Sequence, residues 1–133
     1  MEKIEYIRWN GELLACIIRA EASFERTSFM TSPEYNFQVG FVVHPACSEI
    51  APHDHSSIEH RVTQIFEVLL IRKGRCEVDI YNLDREHVAT RELREGDLLF
   101  ITEGGHGFRM LEDTVFLEIK QGPYTGTDQK KLY

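Results

Sequence analysis

Cysteine is scarce: three residues in 133, Cys16, Cys47 and Cys76, odd in number and far apart. No C-x-x-C exists, which excludes a zinc knuckle or a thioredoxin-like pair and points to free thiols in a reducing cytoplasm. Positive charge is short as well, with 15 basic against 22 acidic side chains and a net charge of -7. That balance argues against nucleic acid or an anionic membrane as the main partner, because both require a basic surface. No window approaches the ~18 apolar residues of a membrane span. Met1-Glu2-Lys3-Ile4-Glu5 lacks the cationic start and apolar stretch of a secretory leader, so the expected location is cytoplasmic. There is no Gly-x-Ser-x-Gly, and no cysteine and histidine are spaced so as to suggest a dyad, so nucleophilic catalysis finds little support. Gly104-Gly105-His106-Gly107 lacks a Gly-Lys-Ser/Thr end and is no phosphate loop.

What remains is a short, moderately apolar chain. Hydrophobic residues make up 42% and aromatics 11%, enough for a packed core. The length gives one domain over residues 1–133, with strands in 1–35, a core over about 36–120 and a short tail at 121–133. Apolar runs at Leu13–Ile18, Phe66–Ile71 and Leu98–Ile101 read as buried strands. Cys76–Tyr81 alternates, with Cys76, Val78 and Ile80 facing in. Val88–Leu93, Phe108–Leu111 and Val115–Lys120 are extended, and Asn36–Val43 is β-rich. Hairpin turns are expected at 72–75 and 112–114. Short strands at spacings of roughly 8–12 residues predict an all-β fold, a single antiparallel β-barrel or sandwich.

The chemistry-bearing residues are spread along these segments. His53-Asp54-His55 follows Pro52, which pushes the chain towards an extended form. On a strand, residues two apart point the same way, so both imidazoles can address one point. Glu67 begins the next apolar run, and His106 sits in a glycine-rich turn. Three imidazoles and one carboxylate converging on a point form a site for a divalent transition metal. His44 and His87 have no partners at useful spacing and read as surface or wall residues. Gln38, Phe66, Phe100, Phe108 and Tyr81 are further candidates for a pocket lining. Arg61 and Arg109 are candidates for holding an anion, although alternation from Phe108 turns Arg109 outward.

His53-Asp54-His55 together with Glu67, six residues and Gly74 resembles the first motif of the cupin superfamily of small β-barrels. Gly96-Asp97, with Leu93 ahead of it, resembles the start of the second motif, and His106 its end. The chain departs from the pattern in four places. The gap filled by 56–66 is long, Thr102 stands where proline is common, one residue rather than two separates Gly104 from His106, and Met110 stands where asparagine is often found. Gly104–Phe108 and Lys120–Tyr124 look like a group of single-domain cupins associated with nucleotide-sugar and surface-polysaccharide biosynthesis.

The resemblance implies a jelly-roll barrel binding Fe, Mn, Ni, Co, Cu or Zn through His53, His55, Glu67 and His106. Glu59 lies at the literal family spacing, but Glu67 is preferred because the Glu-to-Gly distance reflects one strand and its turn. Its register also puts Leu69 and Ile71 on the same inward face. Glu59 and His60, at the expected pocket mouth, are the candidate catalytic residues. The leading functional expectation is a metal-dependent isomerase, epimerase or dioxygenase acting on a small polar molecule such as a sugar or nucleotide sugar. The alternative is a non-catalytic cupin that binds or senses a small ligand or metal. Homodimers are common among small cupins, so a homodimer is expected by analogy.

Overall fold

A computed structural model of the chain describes residues 3–59, 61–62, 64–122 and 131–133. Among the described residues there are ten strands, all antiparallel in their pairing, and no helix. The chain divides into two compact units, residues 1–22 with 64–133, and residues 23–63.

The larger unit holds two facing sheets. The five-stranded one runs in the order β1 (Ile4–Trp9), β2 (Glu12–Ile18), β8 (Leu98–Ile101), β5 (Glu67–Lys73), β10 (Val115–Lys120). The three-stranded one runs β7 (His87–Arg94), β6 (Arg75–Tyr81), β9 (Gly105–Met110). Period-two alternation fills the space between them. Ile17, Leu69, Ile71, Leu99 and Ile101 come from one sheet, and Cys76, Val78, Ile80 and Leu93 from the other; all are buried in one cluster. The inward set expected for Cys76, Val78 and Ile80 is thus correct. Burying side chains of this size is worth ~1.5–3 kcal/mol each, which makes the sandwich interior the main source of stability.

The strands expected at 13–18, 88–93, 98–101 and 115–120 are observed as β2, β7, β8 and β10. Their connections differ from expectation. Neither 72–75 nor 112–114 joins hydrogen-bonded neighbours, because β5 and β10 lie in one sheet and β6 and β9 in the other. Both are corners at which the chain changes sheet. Gly74 makes the first corner with φ 88°, a backbone that favours glycine. The second corner docks on it: Leu111 and Glu112 donate backbone N–H groups to the Arg75 carbonyl at 2.9 and 3.2 Å, and the Thr114 hydroxyl donates to it at 3.2 Å. Among the described residues, the pairing forms open sheets and does not close into a barrel.

A buried carboxylate fastens the two sheets at the same end as these corners. Asp97, just before β8, accepts N–H groups from Ala20 at 2.9 Å and Arg94 at 3.0 Å, and the Arg19 guanidinium at 3.0 Å. Arg19 also donates to the Glu92 carbonyl at 2.7 Å. One aspartate therefore joins the segment leaving β2 to the end of β7.

The smaller unit carries β3 (Ser28–Phe29) paired with β4 (Gly40–Phe41). The β-rich stretch 36–43 forms only this two-residue strand. Gln38 is used as a loop fastener instead: its amide donates to the carbonyls of Ser32 at 2.8 Å and Tyr35 at 3.0 Å, and its Oε1 accepts the Thr31 hydroxyl at 2.8 Å.

Candidate metal centre

In the larger unit, Glu67 is the first residue of β5, and alternation puts it on the same inward side as Leu69 and Ile71. His106 is the second residue of β9, opposite Ile80 of β6, with Phe108 opposite Val78. It therefore lies in a strand rather than in the expected turn. Its φ-permissive neighbour Gly104, at 76°, makes the bend that precedes it. The two side chains approach from facing sheets: His106 Nε2 lies 3.3 Å from Glu67 Oε2. Both are largely shielded, with side-chain exposures of 27% and 20%. The imidazole packs edge-on against Phe108 at 5.7 Å between centroids, and Phe108 in turn meets Phe116 at 5.0 Å. His106 Nδ1 is buried without a hydrogen-bond partner among the described residues. A buried polar atom left this way carries a desolvation cost, and it is the ring nitrogen other than the one that meets Glu67.

In the smaller unit, His53 and His55 are exposed and lie in irregular chain, not on the strand that was expected. Two-residue spacing still brings the rings together, 5.2 Å apart and edge-on. His53 Nδ1 is 2.8 Å from the Ala51 carbonyl. A carbonyl only accepts, so Nδ1 carries the proton and Nε2 keeps its lone pair. A metal-binding histidine is normally oriented in this way.

These residues fit a divalent metal. Two donors at ~2.0–2.2 Å from one ion lie roughly 3.0–3.4 Å apart, depending on the angle between them, and the His106–Glu67 separation of 3.3 Å falls in that range. The donor set of imidazole and carboxylate suits first-row transition metals. Among the described residues, however, no group of three or more His, Cys, Asp or Glu side chains is gathered around one point. Glu67 and His106 form one pair, and His53 and His55 another.

The remaining candidates have varied surroundings. Glu59 is exposed in irregular chain, and His60 lies outside the described residues. Phe66 and Phe100 are buried at 3% and 1%. Phe100 pairs with Val68, on the face of its sheet opposite to Glu67. The exposed Arg61 gives its backbone carbonyl to the Asn36 amide at 2.9 Å. His44 is exposed, as expected. Arg109 does face outward, and its guanidinium is committed to Asp79 and Glu77.

That last contact belongs to a network hidden from sequence. On the outer face of the three-stranded sheet, the Thr90 hydroxyl donates to Asp79 Oδ1 at 2.5 Å. His87 Nε2 lies 2.7 Å from the same hydroxyl oxygen. Since the hydroxyl proton is spent on Asp79, His87 must be the donor, and Thr90 is not activated as a nucleophile. The Arg109 guanidinium and the Thr90 hydroxyl together hold the Asp79 carboxyl down at about 2. His87, which had no partner at useful sequence spacing, gains one because β6 and β7 pair Asp79 with Thr90.

Comparison with protein-family models, with curated proteins and with solved structures finds no match.

Proposed function

We propose that this chain is a metal-dependent enzyme of the cupin type, in which His53, His55, Glu67 and His106 hold one divalent transition metal. The observation that carries the reading is the meeting of His106 Nε2 and Glu67 Oε2 from facing sheets at 3.3 Å. Its support from topology is the run of crossings at β5–β6, β7–β8, β8–β9 and β9–β10, each of which changes sheet, as in a double-sheet jelly roll. Glu67, rather than the exposed Glu59, is taken as the carboxylate because, among the described residues, it lies beside an imidazole.

The substrate class is a small, oxygen-rich polar molecule such as a sugar or nucleotide sugar. A bound metal would act there as a Lewis acid towards a carbonyl or vicinal oxygens. The protein's own part is orientation and shielding. Glu67 supplies fixed negative charge, and Phe108 and Phe116 keep water from one side of the His106 ring. The Ala51 carbonyl holds His53 in the tautomer with a free Nε2.

Metal content of purified protein, read by elemental analysis, tests the ligand set. His53→Ala, His106→Ala and Glu67→Ala each strip the metal from a folded protein, whereas Glu59→Ala retains it. Retention in Glu67→Ala with loss in Glu59→Ala reverses the choice of carboxylate, and absence of metal under all loading conditions rejects the reading. Turnover of a 3-keto or 4-keto nucleotide sugar, followed by loss or movement of its proton signals, tests catalysis. Metal retention without turnover of any such compound favours a binding role instead. A homodimer has a suitable seam at β10, the outermost strand of its sheet, where Val115, Leu117 and Ile119 are exposed. Sedimentation showing only monomer excludes it.

A further inference from the structure

We infer that the outer face of the three-stranded sheet carries a binding slot for a phenol-class aromatic ring, and that Tyr133 is its resident occupant. The slot has a floor, a wall and a cover. The floor is Gly105: a Cβ built there would lie 2.6 Å from Tyr133 Cζ, so the ring rests where any other residue would put a side chain. The wall is Tyr81, paired with Gly105 in the β6–β9 register and edge-on to Tyr133 at 5.2 Å. The cover is Arg85, whose guanidinium carbon stands 4.7 Å from the Tyr133 ring centroid. Edge-on aromatic pairs and guanidinium stacking both fall within their attractive ranges at these distances.

The cover is held in place by a construction that a plain β-hairpin does not need. Arg85 has φ 65°, the left-handed region that costs a branched-free L residue energy to occupy. Buried Asn82 imposes it. The Asn82 side-chain carbonyl accepts the N–H groups of Asp84 and Glu86 at 3.0 Å each, its amide donates to Glu86 Oε1 at 3.2 Å, and its backbone carbonyl accepts the Arg85 N–H at 3.0 Å. The wall is also braced, because Tyr81 meets His87 edge-on at 5.7 Å on its other side. Tyr133 itself is 62% exposed. It is a ring laid on the sheet over Gly105, not part of a core, so on this inference a free ring of the same chemistry can take its place. As an intramolecular occupant, it competes at an effective concentration in the millimolar range.

The experiment uses the full chain and p-cresol as probe, read by amide and ring-proton NMR. In Tyr133→Ala, p-cresol produces saturable shifts at Gly105, Tyr81 and Arg85. In the unaltered chain and in Tyr133→Phe, the same probe binds at least ~10-fold more weakly, because the slot is filled. Adding Gly105→Val to Tyr133→Ala abolishes the shifts. The inference is overturned if Tyr133→Ala shows no saturable shift, or if all four proteins respond alike. Gly105→Ala in the otherwise unaltered chain gives a second route that does not depend on removing Tyr133. It expels the ring, and the Tyr133 ring-proton shifts move to those of an exposed tyrosine; unchanged shifts there also overturn the inference.

Discussion

Asp97 offers the sharpest test of how the two sheets are held together. Its carboxylate is 2% exposed and accepts three hydrogen bonds: Oδ1 from Ala20 N–H, and Oδ2 from both Arg94 N–H and the Arg19 guanidinium. Asp97→Ala leaves two backbone donors and a guanidinium that is only 13% exposed without their acceptor. Breaking one side of such a pair costs about 3–5 kcal/mol, which for a chain of this size lowers the melting temperature by about 10–20 °C. Asp97→Asn is the more telling variant. Whichever way the amide turns, its NH₂ group faces an N–H donor, so a near-isosteric change still costs about 2–4 kcal/mol. Arg19→Met removes only one of the three donors and leaves the carboxylate on two N–H groups, so it costs less than either. Urea unfolding of the three variants and of Arg19→Met with Asp97→Ala measures the order and the coupling. An Asp97→Asn protein within about 1 kcal/mol of the parent would refute the reasoning, since donor–donor opposition in a buried site cannot be that cheap.

Gly74→Ala forces a left-handed backbone and sets a Cβ against the Asp113 carbonyl, with Thr114 Oγ1 at 2.8 Å. A loss of about 2–4 kcal/mol in urea unfolding is expected, since both the φ penalty and the displaced corner contribute. The Asp79 carboxyl is depressed from 3.8 to about 2, first by its hydrogen bond from Arg109 and then by that from Thr90. A depressed folded pKa means that this contribution is complete above about pH 4 and is lost as pH falls towards 2. Arg109→Ala and Thr90→Val should each raise the Asp79 pKa seen by carboxyl NMR, and the larger rise belongs to Arg109→Ala. Burial pushes the Cys16 thiol up to about 12 and raises that of Cys76, whereas Cys47 is exposed. A thiol reagent should therefore modify one cysteine per native chain, Cys47, and all three after unfolding, as counted by mass spectrometry.

Periodicity and apolar runs made β2, β5, β6, β7 and β8 legible because each puts buried residues into the core. Cys76, Val78 and Ile80 alternate with polar neighbours, and β8 and β10 are bounded by turn residues at both ends. The connections were not legible for a specific reason. Gly74 in Arg72-Lys73-Gly74-Arg75 signals only that the backbone takes positive φ, and a corner between sheets needs that conformation as much as a hairpin does. What distinguishes them is the partner, here Leu111, Glu112 and Thr114 on the Arg75 carbonyl, and these residues lie some forty positions downstream. His87 is exposed, in keeping with its reading as a surface residue, but its cross-strand contact with Asp79 was not legible. Thr90 stands three residues on in the same strand, and the β6–β7 pairing brings Asp79 to it, which spacing along one strand does not report.

Strand β9 explains why both the inner pair and the outer slot depend on so short a stretch. Alternation along Gly105–Met110 sends His106 and Phe108 inward and turns Gly105, Gly107 and Arg109 to the outer face. The glycines that read as a loop around a histidine are thus the outward positions of a strand. At Gly105 the missing side chain leaves room for Tyr133, and at Gly107 a Cβ would meet open space. These two glycines have different constraints: Gly107 tolerates alanine by volume, whereas Gly105 does not while Tyr133 occupies its place. A register slip of one residue in β9 would exchange the two faces, moving His106 outside and exposing its buried Nδ1. Tyr81 opposite Gly105 and Ile80 opposite His106 oppose that slip together, the first by its ring contact with Tyr133 and the second by complete burial in the core. The ring in the slot therefore favours the register that presents His106 to Glu67, even though the two sites lie on opposite faces of the sheet.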